Sequence, residues 1–133
     1  FYPQTKFVEP HQIAIDKAKF EIVIDGMSRA VISGTSRVAA IKDIEVCGKT
    51  GTAQNPHGLD HSVFCAFAPR DNPKIAIAVI VENSGFGATY AAPIASLLME
   101  KYIKGQIDSS RLWLETRTME QDLIHKNAIA AKP

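Results

Sequence analysis

A lysine, two hydroxyl residues and a glycine stand together at Lys49-Thr50-Gly51-Thr52, inside the stretch Glu45-Val46-Cys47-Gly48-Lys49-Thr50-Gly51-Thr52-Ala53-Gln54. The set offers a cation, two hydroxyl donors and a length of bare backbone, which suits a carboxylate-bearing, peptide-like ligand. The stretch reads as a strand. On an extended chain Thr50 and Thr52 project to one side while Lys49 and Gly51 project to the other. Gly51 would let a ligand backbone or a neighbouring helix come close.

The surroundings argue against other chemistries. Gly48-Lys49-Thr50 matches the end of the phosphate-cradling pattern Gly-x-x-x-x-Gly-Lys-Ser/Thr, but the first glycine of that pattern would fall on Asp43. A carboxylate there repels phosphate, and no strand-loop-helix run surrounds the triplet. Asp60, His61 and Ser62 have the residue types of a hydrolytic triad. Adjacent residues on an extended chain point in alternate directions, however, and triads are gathered from distant parts of a fold. His57 reads as a solvated loop residue near the motif. A bare Lys-Thr-Gly could also be a polar edge strand whose lysine keeps the edge from aggregating; the flanking residues speak against that.

Three ordered runs carry the decisive pattern: Cys47-Gly48-Lys49-Thr50-Gly51-Thr52-Ala53-Gln54, then His61-Ser62-Val63-Phe64-Cys65-Ala66-Phe67-Ala68-Pro69, then Lys74-Ile75-Ala76-Ile77-Ala78-Val79-Ile80-Val81-Glu82-Asn83. With Asp25-Gly26-Met27 upstream and Ala91-Ala92-Pro93-Ile94 downstream, the series resembles the C-terminal part of a penicillin-binding transpeptidase domain, nearest to the elongation-type class B enzymes. The resemblance runs from about Ile15 to Gly105.

That resemblance implies a serine acyl transfer that cross-links peptidoglycan stem peptides, with β-lactams acylating the same serine. Family members use Ser-x-x-Lys, Ser-x-Asn/Asp and Lys-Thr/Ser-Gly. Only the third stands here: no serine of this sequence has lysine three residues later, and none has Asn or Asp two residues later. The resemblance makes Lys49 and Thr52 the catalytic group and Thr50, Gly51 and Thr52 the substrate-binding group. Lys49 would shape the proton network and field, the Thr50 and Thr52 hydroxyls would bind the substrate carboxylate, and the Thr52 N–H would supply one oxyanion donor. The open edge beside Thr52, Ala53 and Gln54 would let the peptide add as a strand. It also implies an anchor in the bacterial inner membrane outside this sequence, the domain lying on the periplasmic side, and it calls for no metal or cofactor. A carboxypeptidase, a β-lactamase-type hydrolase and a non-catalytic penicillin-sensing module share the motif.

The rest of the sequence supplies elements that could position these groups. From Asp16 onward Phe20, Val23, Ile24, Met27 and Val31 recur at helical spacing, with Asp16 or a near neighbour as cap and Gly34 as stop. Gly26 inside that helix is expected to permit a close contact. A short helical run through Ala40 precedes the motif strand, and Asn55-Pro56-His57-Gly58-Leu59-Asp60 supplies turn chemistry for a hairpin. Residues 62–68 and 74–82 follow as strands, the latter apolar on both faces and expected to be covered on both, with the small face toward a helix. Between Lys74 and Glu82 one edge is left bare, and self-association through it is expected. Thr89 is the expected cap of a second helix, with Pro93 in its first turn, Gly105 beyond its end, and Ile94, Leu97, Leu98 and Met99 or Tyr102 inward. A third helix from Asp108 or Ser109 would carry Leu112, Trp113, Met119 and Leu123, with Trp113 packed on its own domain or, alternatively, serving as a docking anchor.

The fold class is therefore α/β, of the α+β type: a three-stranded antiparallel sheet with flanking helices. Residues 1–105 are read as the C-terminal portion of the transpeptidase domain. Residues 106–133 form a partly helical extension with a ragged end from His125. The 133 residues carry a net charge of +1, with 46% hydrophobic and 22% charged residues. That balance argues against a nucleic-acid partner. Phe1 is not an initiator, and no apolar run approaches the roughly 20 residues of a membrane helix, so the sequence is expected to be part of a longer protein that supplies the missing N-terminal half of the domain. Cys47 and Cys65 would face each other if the hairpin were centred on Pro56; otherwise they are buried free thiols.

Overall fold

Asp16 opens the first helix, α1 (Lys17–Ile32), with its carboxylate accepting from the Ala18 N–H at 3.0 Å, which satisfies one of the amides a helix start leaves unpaired. The computed structural model describes residues 13–124; the expectations for the segment before Ile13 and for the end from His125 lie outside them. Only Ser28 and Val31 of α1 are buried. Phe20 and Val23 are 41% and 59% exposed, so the stripe expected along the whole helix is covered only near its C-terminal end. A side chain at Gly26 would meet nothing within 4 Å, so the close contact expected there does not occur among the described residues.

The sheet contains β1 (Cys47–Ala53), β2 (His61–Ala68) and β3 (Ile75–Val81), antiparallel in the order β1-β2-β3. Opposed residues share a face. The pairs Thr50↔Phe64 and Phe64↔Val79 therefore lie on one side, and Lys49↔Cys65 and Cys65↔Ala78 on the other. On the first side Phe64, Ala66 and Ala68 meet Ala91, Ala92, Ala95 and Met99 of α2 (Ala91–Lys104). Alanines at 91, 92 and 95 keep that helix close to the strands. Leu97 and Met99 are buried as expected, whereas Leu98 and Tyr102 are 51% and 66% exposed. The small-residue stripe faces the sheet and turns those two away.

Two further expectations for this layer are corrected. Thr89 does not cap α2: Tyr90 occupies that position without a side-chain bond, and the Ser62 hydroxyl of β2 accepts from the Ala91 N–H at 3.0 Å instead. Among the described residues, 74–82 are not covered on both faces. The helix packs on the Ile77 and Val79 side, while Ala76, Ala78 and Ile80 are exposed, and β3 forms an edge of the sheet.

Gly105 ends α2 in the left-handed conformation, φ 79°. The chain then makes a 3₁₀ turn, Ser109–Arg111, opened by the Asp108 carboxylate accepting from the Ser110 N–H at 2.9 Å. It continues into α3 (Leu112–Met119). The buried residue here is Leu114, not the expected Leu112, Trp113 or Met119, which are 47%, 59% and 80% exposed. Arg111 reaches back to α2. Its guanidinium donates to the fully buried Glu100 carboxylate and to the Ser96 hydroxyl, each at 2.7 Å.

The register also decides the cysteines. Lys49 lies opposite Cys65 and Cys47 opposite Phe67, which centres the hairpin on His57, one residue beyond Pro56. The two thiols therefore do not face each other. Both are free, Cys47 buried and Cys65 exposed, and burial pushes the Cys47 thiol pKa up.

Candidate active site

Lys49, Thr50, Gly51 and Thr52 lie in the middle of β1, whose far edge pairs with no strand among the described residues. Lys49 is exposed, and its ammonium donates to the Thr50 carbonyl at 2.6 Å. Thr50 is half-buried, with its hydroxyl 3.3 Å from that of Thr35. Thr52 is exposed. The strand pairing puts Thr50 and Thr52 on the α2 side and Lys49 and Gly51 on the other. The structure thus presents a cation, two hydroxyls and strand backbone along one accessible edge.

Packing from behind holds this strand. A side chain at Gly48 would overlap the Phe64 ring, so glycine there lets the aromatic cross the strand. Gly87, in the loop before α2, is buried against backbone: a Cβ there would overlap the Val63 carbonyl and stand 2.6 Å from the Gly51 carbonyl oxygen. The same loop is tied down by the Ser62 hydroxyl, which donates to the Phe86 carbonyl at 3.0 Å.

Ion pairs hold the start of the strand. Arg70 donates to Asp25 and to Glu45, both at 3.2 Å, and its N–H donates to the Glu45 carbonyl at 2.9 Å. Glu45 also accepts from the buried Ser28 hydroxyl at 2.6 Å. One guanidinium therefore joins α1, the approach to β1 and the turn after β2. The bond from Arg70 holds Asp25 below the usual carboxylate range, the bond from Ser28 does the same for Glu45, and the two carboxylates raise Arg70.

The hairpin loop closes on itself. Asn55 accepts from the His57 N–H at 3.0 Å and donates to Asn83 at 2.6 Å; His57 is exposed, as read from the sequence. No triad forms at its end. Asp60 accepts from the Asn55 N–H, His61 Nδ1 from the Asn83 N–H, and Ser62 is engaged with Phe86 and Ala91. Sequence reasoning missed Thr35, Arg70 and the Ser62 hydroxyl as parts of the site's framework. Each acts across a long sequence separation that no local pattern announces.

The family model of the penicillin binding protein transpeptidase domain matches residues 3–100. The chain belongs to the penicillin-binding protein transpeptidase family and corresponds to a C-terminal part of a class B domain. It is 40% identical over 75 residues to the peptidoglycan D,D-transpeptidase MrdA of Haemophilus influenzae, covering 56% of this chain and 11% of that protein. Against the peptidoglycan D,D-transpeptidase PbpA of Mycobacterium tuberculosis it is 34% identical over 116 residues, covering 79% of this chain and 22% of that one. The crystal structure of Pseudomonas aeruginosa PBP2 in complex with WCK 5153 is similar at a TM-score of 0.62 and 35% identity, covering 76% of this chain and 23% of that chain. The chain thus spans only a small part of the length of these relatives. The α/β fold is that of penicillin-binding transpeptidase domains. Among the described residues no helix is long and apolar enough to cross a membrane.

Proposed function

We propose that this chain supplies the Lys-Thr-Gly strand of a peptidoglycan D,D-transpeptidase, with the serine nucleophile and its lysine on sequence outside it. The observation that carries the reading is the edge of β1 that no strand among the described residues pairs with, where Lys49, Thr50 and Thr52 are all reachable. A D-Ala-D-Ala stem peptide, or a β-lactam, lies along that edge as an added strand. Its carboxylate is met by the Thr50 and Thr52 hydroxyls, the Lys49 ammonium supplies charge and proton traffic to the serine, and the Thr52 N–H faces the developing oxyanion. The site works on the periplasmic side of the inner membrane, held by an anchor outside these residues.

Two measurements test this. The chain alone, incubated with a labelled penicillin, is expected to show no penicilloyl adduct by mass spectrometry; a stoichiometric adduct on any of its serines overturns the division of labour. The complete protein, given a donor pentapeptide and an amine acceptor, is expected to release D-alanine with formation of cross-linked product. Release by hydrolysis alone assigns it to the carboxypeptidase or β-lactamase branch. Failure of the complete protein to be acylated at all points to a sensor.

The bare edge of β3 has a consequence for the isolated chain. Among the described residues β3 pairs on one side only, its open face exposes Ala76, Ala78 and Ile80, the last to 67%, and an unpaired strand edge beside an apolar face templates pairing with another chain. Without the rest of the domain the chain is expected to self-associate there. A compact monomer by sedimentation at high concentration, with amides protected along both edges of β3, refutes this.

A further inference from the structure

The turn that follows α1 delivers a hydroxyl to the Lys-Thr-Gly strand, and we infer that Thr35 is a positioning residue that orients the Thr50 hydroxyl toward the substrate carboxylate. The inference rests on the proposed carboxylate-binding role of Thr50 and extends the site to a residue fifteen positions upstream. Thr35 Oγ1 lies 3.3 Å from Thr50 Oγ1, and Thr35 is exposed.

The turn is held firmly enough for the contact to be a fixed feature. The Gly34 N–H donates to the Arg29 carbonyl at 3.1 Å and the Ser36 N–H to the Ala30 carbonyl at 3.0 Å. Gly34 itself sits so close to α1 that a Cβ would stand 2.8 Å from the Ala30 backbone. Upstream, α1 is tied to the approach of β1 through Ser28 and Glu45 at 2.6 Å. Helix, turn and strand therefore form one frame with Thr35 facing Thr50 across it.

A hydroxyl has one proton to give and lone pairs to receive. When the Thr50 O–H donates to a carboxylate, its oxygen is free to accept, and Thr35 is the neighbour in place to donate. The chain O–H···O–H···O⁻ polarises the middle hydroxyl and strengthens its bond to the anion. It also removes the rotamers in which Thr50 would spend its proton elsewhere. Lys49 acts on the same residue from the other side, through the Thr50 carbonyl at 2.6 Å. Thr50 is thus fixed at both its backbone and its side chain.

The test uses the complete transpeptidase and the second-order rate constant for acylation by a labelled penicillin, with a thermal melt for each variant. Thr35→Val, which keeps the shape and removes the hydroxyl, is expected to lower that constant about three- to tenfold, the worth of one hydrogen bond. Thr35→Ser keeps the donor and is expected to stay within about twofold of the parent. Thr35→Val is expected to add nothing in a Thr50→Val background, because the oxygen it serves is gone. Parent-like acylation by Thr35→Val, a full loss on top of Thr50→Val, or a loss that follows the melting temperature and is not restored by serine overturns the inference. In each of these cases the carboxylate reading survives if Thr50→Val itself is impaired. If Thr50→Val acylates normally, that reading falls and the role of Thr35 falls with it.

Discussion

Lys49→Ala in the complete transpeptidase is expected to slow acylation by a labelled penicillin by about 10²- to 10³-fold, the scale of losing one electrostatic stabiliser of the transition state. The melting temperature is expected to stay near that of the parent. Lys49 is exposed, and among the described residues its ammonium donates to the carbonyl of the next residue. Truncation therefore opens no cavity and strands no buried partner, while it strips the cation from the accessible edge of β1. Stopped-flow acylation beside a thermal melt separates the two quantities. Unchanged acylation would reduce this lysine to an edge-protecting charge and would remove the main support for the proposed function.

Arg111→Ala is expected to be the most damaging single change away from the site, costing about 3–5 kcal/mol, as is usual when a buried ion pair loses one partner. Glu100 is fully buried, and what remains to it among the described residues is Lys104 at 3.5 Å. The Lys104 ammonium is itself engaged with the Lys42 carbonyl at 2.7 Å. Ser96 loses the guanidinium at the same time. Since whole domains are stable by only about 5–15 kcal/mol, chemical denaturation of the complete protein should show a large fall in midpoint. Replacing both partners with Glu100→Leu and Arg111→Met should cost less than Arg111→Ala, because no ionised group is then left unpaired in the interior. A denaturation midpoint unmoved by Arg111→Ala would mean that Glu100 finds water or another partner when the guanidinium is removed.

What the sequence made legible is what local rules carry. Asp16 before a helical period marked the start of α1, Gly105 the end of α2, and the Asn-Pro-His-Gly loop the hairpin. The side assignments of Lys49 and Thr50 followed from strand alternation alone. Whatever depends on which layer covers which face was not legible. Phe20, Val23 and Ile80 look like core residues because apolarity records that a face is meant to be covered, not whether the covering segment lies within this chain. Leu114 was passed over for Leu112 and Trp113 because the phase of a short helix cannot be read without its partner. Cys47 and Cys65 turned on a one-residue displacement of the hairpin centre, which changes which residues stand opposite one another. Thr35 was hidden for a simpler reason: a Gly-Thr-Ser turn looks the same whether its hydroxyl faces solvent or another hydroxyl.

The contact of Gly87 with the backbone of Gly51 and Val63 bears on how this site can change over generations. Position 87 tolerates no side chain without displacing the carbonyls of two strands, and one of those strands carries the Lys-Thr-Gly residues. At this point the strand is met by backbone rather than by an adjustable side chain, so position 87 leaves no graded series of small substitutions by which the strand could be nudged. Selection for weaker recognition of a mimic is therefore steered toward the open front, where Thr35, Gln54 and their neighbours can vary one atom group at a time.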